Sequence, residues 1–199
     1  MRYFLFLLMM PLSLAQSAED ICPLKPGQMA PDATLHDVHG QAVSFKQALG
    51  GKPTVVVVYR GSWCPFCSRQ MAGLRETVGA IQTKGFQLIA ISPDRPEILA
   101  QRPPEEAVFP LFSDQDMTLA KALGIAFQLD NATLEKYKGY NIDLEAASGR
   151  DHHMLPVPSV YVFDPEGRAV FGFSNPDYRV RLAPGVLMAV LDASQAPAK

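Results

Sequence analysis

Cys64 and Cys67 stand three positions apart in VVVVYRGSWCPFCSRQM, behind an apolar run, Arg60 and the single tryptophan, Trp63. Two thiols at this spacing can hold a soft metal, close a structural bridge or exchange electrons. A structural bridge is the weakest of these roles, because disulfide stabilisation grows with the loop closed and this loop is very small. Pro65 fits the first helical position, where the missing N–H would have had no partner anyway, so Cys64 sits at the helix start and Cys67 in its first turn. Free N–H groups and the positive dipole end favour a thiolate on Cys64. Arg60, closing the preceding strand, brings positive charge close by. Cys67 falls on the stripe facing the sheet, where burial keeps a thiol protonated. The expected pair is one exposed attacking thiol and one shielded resolving thiol. Pro65 and Phe66 offer the sulfur no side-chain hydrogen bond, so the direction of electron flow stays open.

The setting comes from the rest of the chain. MRYFLFLLMMPLSLA has Arg2, an apolar run and the small residues Ser13 and Ala15, so residues 1–15 read as a signal peptide cleaved after Ala15. Its apolar run is far shorter than the ~20 residues a membrane span requires. Export to the periplasm, or otherwise outside the cytoplasm, is the expectation. With 199 residues, 48% of them apolar, the chain suits one well-filled domain. A net charge of -2 and no Lys/Arg cluster leave no footprint for nucleic acid. Of the three cysteines, Cys22 is left over and reads as a free thiol.

The elements that must position the pair follow an α/β pattern. Two short strands around Thr34–His36 and Ala42–Ser44 meet at a DVHG turn, in which Gly40 permits positive φ. PTVVVVYR is β-branched without alternation, the habit of a strand covered on both faces. Cys67, Met71, Leu74, Val78 and Ile81 then form one helical stripe, closed near Gly85. FQLIAIS reads as a second buried strand, RPEILAQ as a short helix, FPLFSD as an extended piece and MTLAKALG as another helix. Residues 126–155 break the rhythm, with weak helical patterns near 132–138 and 142–147, and read as a lid, a binding loop or surface decoration. VPSVYVFDPEGRAVFGF supplies two strands around a DPEG turn, and APGVLMAVLDAS a last amphipathic helix.

The order of PGQMAPDATLHDVHGQAVSF, VVVVYRGSWCPFC, FPLFSDQDMTLAKALGI, LPVPSVYVFDPEGRAVF and NPDYRVRLAPGVLMAVL resembles the thioredoxin-fold AhpC/TSA family, in its peroxiredoxin-like branch with a Cys-x-x-Cys. The likeness covers residues 24–192 and implies a thioredoxin-like α/β domain, with a central mixed sheet flanked by helices and an N-terminal β-hairpin. It implies Cys64 as attacking thiol, Cys67 as partner and Pro158 in the cis-proline position. A cis-Pro158 would expose the Val157 backbone to a bound peptide or thiol. One departure stands out: peroxiredoxins carry Pro-x-x-x-Thr-x-x-Cys, and here Val57 and Gly61 hold the proline and threonine places.

The candidate catalytic residues are therefore Cys64, Cys67, Arg60, Trp63 and Pro158, with Val157 and Phe66 as candidate substrate contacts. Trp63 is expected to shield Cys64; Arg179 and Arg181 read as surface ion pairs. The expected function is an exported thiol-disulfide oxidoreductase cycling Cys64 and Cys67, needing no cofactor. A thiol-dependent peroxidase using the same cysteines is the alternative. Partners would be a protein or small-molecule disulfide, or a peroxide, and a thiol reductant such as a thioredoxin-like protein. A third possibility of another kind is a copper or zinc site, in which His152 or His153 joins the two thiols.

Overall fold

The computed structural model describes residues 17–195, so the signal segment lies outside the described residues. Strands β1 (Thr34–His36) and β2 (Ala42–Ser44) form the expected hairpin, Leu35 opposite Val43. Helix α1 (Phe45–Leu49) follows without a loop. The Ser44 hydroxyl accepts the Gln47 N–H at 3.1 Å and the Gln47 side chain accepts the Ser44 N–H at 2.9 Å. That reciprocal cap holds a helix too short to show periodicity. Next come β3 (Thr54–Val58), α2 (Pro65–Thr83), β4 (Gln87–Ser92), α3 (Pro96–Leu99), β5 (Leu111–Ser113) and α4 (Thr118–Ala122). The remainder is β6 (Ala126–Gln128), α5 (Asn131–Gly139), α6 (Leu144–Ser148), β7 (Met154–Pro156), β8 (Ser159–Phe163), β9 (Ala169–Ser174) and α7 (Pro184–Gln195).

The main sheet runs β2-β1-β5-β4-β3-β8-β9. Its third-from-edge strand, β3, is parallel to β4 and antiparallel to β8, and all five of its residues are buried. Alternate side chains serve two cores. Val56, Val58, Ile89, Ile91, Tyr161 and Phe163 pack with Phe45, Met117 and Leu119 on one face. Val55, Val57, Leu88, Ala90 and Val162 face the α2 stripe together with Leu187 and Leu191 of α7. At about 1.5–3 kcal/mol for each large aliphatic side chain withdrawn from water, both faces reward apolar residues, which removes the period-two pattern from β3.

The break at residues 126–155 is closed by secondary structure of its own. β6 pairs antiparallel with β7, Ala126 opposite Pro156, and α5 and α6 lie between them. The segment is thus a pinned excursion that carries its helices back over the carboxyl ends of β3 and β4.

Candidate active site

Cys64 is the N-cap of α2, with Pro65 at the first helical position. Its carbonyl accepts the N–H groups of Cys67 at 2.9 Å and Ser68 at 3.0 Å, which fixes the turn holding both thiols. Cys67 is fully buried, as the stripe requires, but Cys64 is also buried, with 2% of its surface exposed. The expectation of an exposed attacking thiol is corrected here: Cys64 belongs to the core cluster beneath β3, against which Trp63 and Phe66 pack. A hydrogen bond from the Cys67 thiol pulls the Cys64 thiol down to about 5 against the effect of burial, helped by the N–H of Cys67, the charge of Arg60 and the N–H of Phe66. The same bond, burial and the charge on Cys64 push Cys67 up. The pair therefore holds one thiolate and one thiol at neutral pH.

A pH profile should show this. Alkylation by iodoacetamide under pseudo-first-order conditions should be flat from pH 6 to 8 and fall tenfold per pH unit below about 5, as the thiolate protonates. A free thiol would instead gain reactivity up to about pH 8.5.

Arg60 supplies the cation. It is 4% exposed, and its Nη1 lies 3.9 Å from the Cys64 sulfur. Its Cζ sits 5.0 Å from the Trp63 ring centre, 5.6 Å from that of Tyr137 and 4.2 Å from that of Tyr178. Each such contact stabilises a partly desolvated guanidinium by about 0.5–2 kcal/mol, so the rings replace the water Arg60 has lost. Nη2 donates to the Tyr137 hydroxyl. Nε is buried without a hydrogen-bond partner among the described residues. Tyr137 comes from α5 and Tyr178 from the segment after β9, positions that no local pattern connects to the cysteines.

The loop before Cys64 is fixed from β4. The Ser62 N–H donates to Asp94 Oδ2 at 2.7 Å, and the Ser92 hydroxyl donates to the same oxygen at 3.1 Å. Burial pushes the Asp94 carboxyl up to about 6. Gly61, where the threonine of the peroxiredoxin motif would stand, has φ +144, and a Cβ there would lie 2.4 Å from Trp63 Nε1 and 2.9 Å from Asp94 Oδ1. A side chain is excluded twice over, by conformation and by space. Gly61→Ala should therefore destabilise the fold by about 1–3 kcal/mol from backbone strain alone, measured as a lower denaturant midpoint.

The other expected residues fall in different places. Val157 and Pro158 are buried and line a cavity of about 270 Å³ that also includes Arg60, Tyr137 and Tyr178. The Val157–Pro158 bond is trans, since there is no cis peptide among the described residues. Nor is Val157 free to pair with a guest: its N–H donates to the Ile125 carbonyl at 2.8 Å and its carbonyl accepts the Ser159 hydroxyl at 2.9 Å. The β6–β7 pairing continues into Val157 and occupies the backbone that a bound peptide would need. Phe66 stacks edge-on to Tyr178 at 5.6 Å and lines a separate apolar groove between α2 and α7. Arg179 pairs with Asp177 at 2.8 Å, as a surface ion pair should. Arg181 does not: its Nη2 lies 3.5 Å from the Cys67 sulfur and its Nε donates to Gln70 at 2.8 Å.

The histidines stand apart from the thiols. His152 Nε2 donates to the Gln115 carbonyl at 2.8 Å, while its Nδ1 accepts the Met154 N–H at 3.0 Å; His153 contacts Glu145 at 2.7 Å. Among the described residues no three His, Cys, Asp or Glu side chains come together in a way that could hold a metal. Cys22 is exposed and free, its backbone N–H bonded to the Gly124 carbonyl.

A coupled thiolate and thiol thus stand at a helix start on a mixed sheet of thioredoxin type. Residues 26–170 match the AhpC/TSA family, and the chain belongs to it. Rv2521 of Mycobacterium tuberculosis, a peroxiredoxin by name, is 37% identical over 102 residues, 51% of this chain and 64% of that one. Peroxiredoxin Bcp of Escherichia coli is 32% identical over 104 residues, 52% of this chain and 66% of that one. The chain thus spans about two thirds of the length of these relatives. Among solved structures, peroxidoxin BcpB of Mycobacterium tuberculosis matches with a TM-score of 0.65 at 18% identity, over 87% of this chain and 99% of that one, a likeness of fold.

Proposed function

We propose that the protein is a thiol peroxidase that reduces a small hydroperoxide. The carrying observation is the burial of Cys64, 2% exposed behind Arg60. The cavity lined by Arg60 stops at that side chain, whose Nη1 is 3.9 Å from the sulfur, so a small molecule has only the guanidinium edge to pass, whereas a protein disulfide would have to displace the whole cage. The occupied backbone of Val157 weighs the same way, since it offers a peptide no edge to pair with. This favours the peroxidase over the disulfide oxidoreductase expected first.

The chemistry proceeds in two steps. The Cys64 thiolate attacks the terminal peroxide oxygen; the O–O bond breaks, Cys64 becomes a sulfenic acid, and the remaining alkoxide or hydroxide takes up a proton. The Cys67 thiol then attacks the sulfenic sulfur, the Cys64–Cys67 disulfide forms, and the displaced oxygen leaves as water with the Cys67 proton. Arg60 balances charge in the first step. Two electrons and two protons from a dithiol reductant restore the pair by thiol-disulfide exchange. The apolar leader of the sequence supports a site of action outside the cytoplasm, to be tested by cell fractionation.

Trp63 reports on the site directly, lying over Arg60. Rapid mixing of reduced protein with hydrogen peroxide should change its fluorescence with a rate constant above about 10⁴ M⁻¹ s⁻¹, the lower end for evolved enzymes. A slow response to peroxide with fast oxidation by a disulfide peptide would replace the peroxidase by a disulfide oxidoreductase.

A further inference from the structure

Breaking an O–O bond by thiolate attack expels an oxygen anion on the side away from sulfur, and that oxygen needs a proton and a balancing charge. Two phenols line the cavity with Arg60, and Arg60 meets Tyr178 at its ring and Tyr137 also at its oxygen. Val57 and Gly61 have no hydroxyl. The Ser68 hydroxyl is turned to the Cys64 and Ser62 carbonyls, at 3.3 and 3.5 Å. The Cys67 proton is directed at Cys64 and is needed in the second step.

The guanidinium of Arg60 has two working ends, Nη1 near the Cys64 sulfur and Nη2 on the Tyr137 oxygen. A peroxide laid along this edge would have one oxygen at the sulfur and the other at the phenol. Because the Tyr137 oxygen accepts from Arg60, its own hydrogen is free to point into the cavity that both residues line.

We infer that Tyr137 is a catalytic residue, which donates its hydroxyl proton to the leaving oxygen of a hydroperoxide while Arg60 carries the developing charge. The inference rests on the peroxidase reading of the same site. In balance, the thiolate takes the terminal oxygen, the leaving oxygen departs as an alcohol or water with the Tyr137 proton, and the phenolate regains a proton from water. Burial raises the Tyr137 phenol, ahead of the opposing charge of Arg60, so the proton is present at neutral pH. The excursion between β6 and β7 accordingly brings a working group to a helix start that has none in its own sequence.

Tyr137→Phe keeps the ring over Arg60 and removes only the hydroxyl. Stopped-flow oxidation of Cys64 should be compared for tert-butyl hydroperoxide, whose alkoxide must be protonated, and peracetic acid, whose acetate leaves unaided. The variant should lose about 100-fold with the first, within the usual range for acid catalysis, and less than about threefold with the second. Alkylation of Cys64 by iodoacetamide should stay at the wild-type rate, confirming that thiolate and Arg60 are in place. Equal slowing with both oxidants, or none with either, would overturn the assignment of Tyr137. A wild-type protein that reacts with both oxidants no faster than a free thiolate would overturn the peroxidase reading, and the inference with it.

Discussion

Cys64→Ser is expected to reduce peroxide turnover to the background rate, a loss of roughly 10⁴-fold or more, the scale on which removing a covalent nucleophile acts. No other thiol can replace it. Cys67 loses the bond to Cys64 in this variant but stays fully buried, which still raises its thiol, and Cys22 lies on the exposed N-terminal segment. The companion variant Cys67→Ser should keep one fast oxidation and then stop. Its sulfenic acid should persist and be trapped by dimedone, giving an adduct by mass spectrometry that the wild-type protein, closing to a disulfide, shows only weakly. Retention of full turnover in Cys64→Ser would remove the mechanism.

Arg60→Met is expected to have the next largest effect. A cation about 4 Å from the sulfur is worth about 4 kcal/mol at an effective dielectric near 20, before its own lost hydration is counted. The net effect should raise the apparent pKa of Cys64 by about one to two, within the usual range for losing an opposite charge. The sign then separates two roles. At pH 6 the variant should alkylate more slowly because less thiolate is present; at pH 8 alkylation should recover. Peroxide oxidation should stay depressed at both, by about 100-fold, because a preorganised donor at the developing oxyanion is also gone. Arg60→Lys should preserve most of the alkylation but not the peroxide rate, since an ammonium cannot span sulfur and phenol as the planar fork does. Recovery of the peroxide rate at pH 8 in Arg60→Met would confine Arg60 to tuning the thiolate.

The sequence carried the frame of this site further than its lining. The β-branched run at residues 54–58 and the stripe from Cys67 to Ile81 are governed by burial, which is written as local periodicity, and both elements stand where the pattern puts them. α1 left only a cap signal, Ser44 with Gln47, because five residues are too few to show a period. β6 and β7 span three residues each and derive their stability from one another across the excursion. Tyr137 lies 77 positions from Arg60, and no spacing rule joins them. Arg181 looked like Arg179 beside it, yet one turns to Cys67 and the other to Asp177, a choice made by the path of the chain. The burial of Cys64 was likewise invisible, since a helix start is exposed unless distant residues cover it.

The cage around Arg60 has a bearing on the life of the newly made chain. Its rings come from the α2 start, from α5 and from the segment after β9, so the cation is set beside sulfur only after the carboxyl-terminal half has closed over the amino-terminal half. Before that, Cys64 is an ordinary cysteine, about 3% ionised at pH 7. The full lowering of the Cys64 thiol thus needs both the local bond from Cys67 and the charge that the finished fold sets beside it.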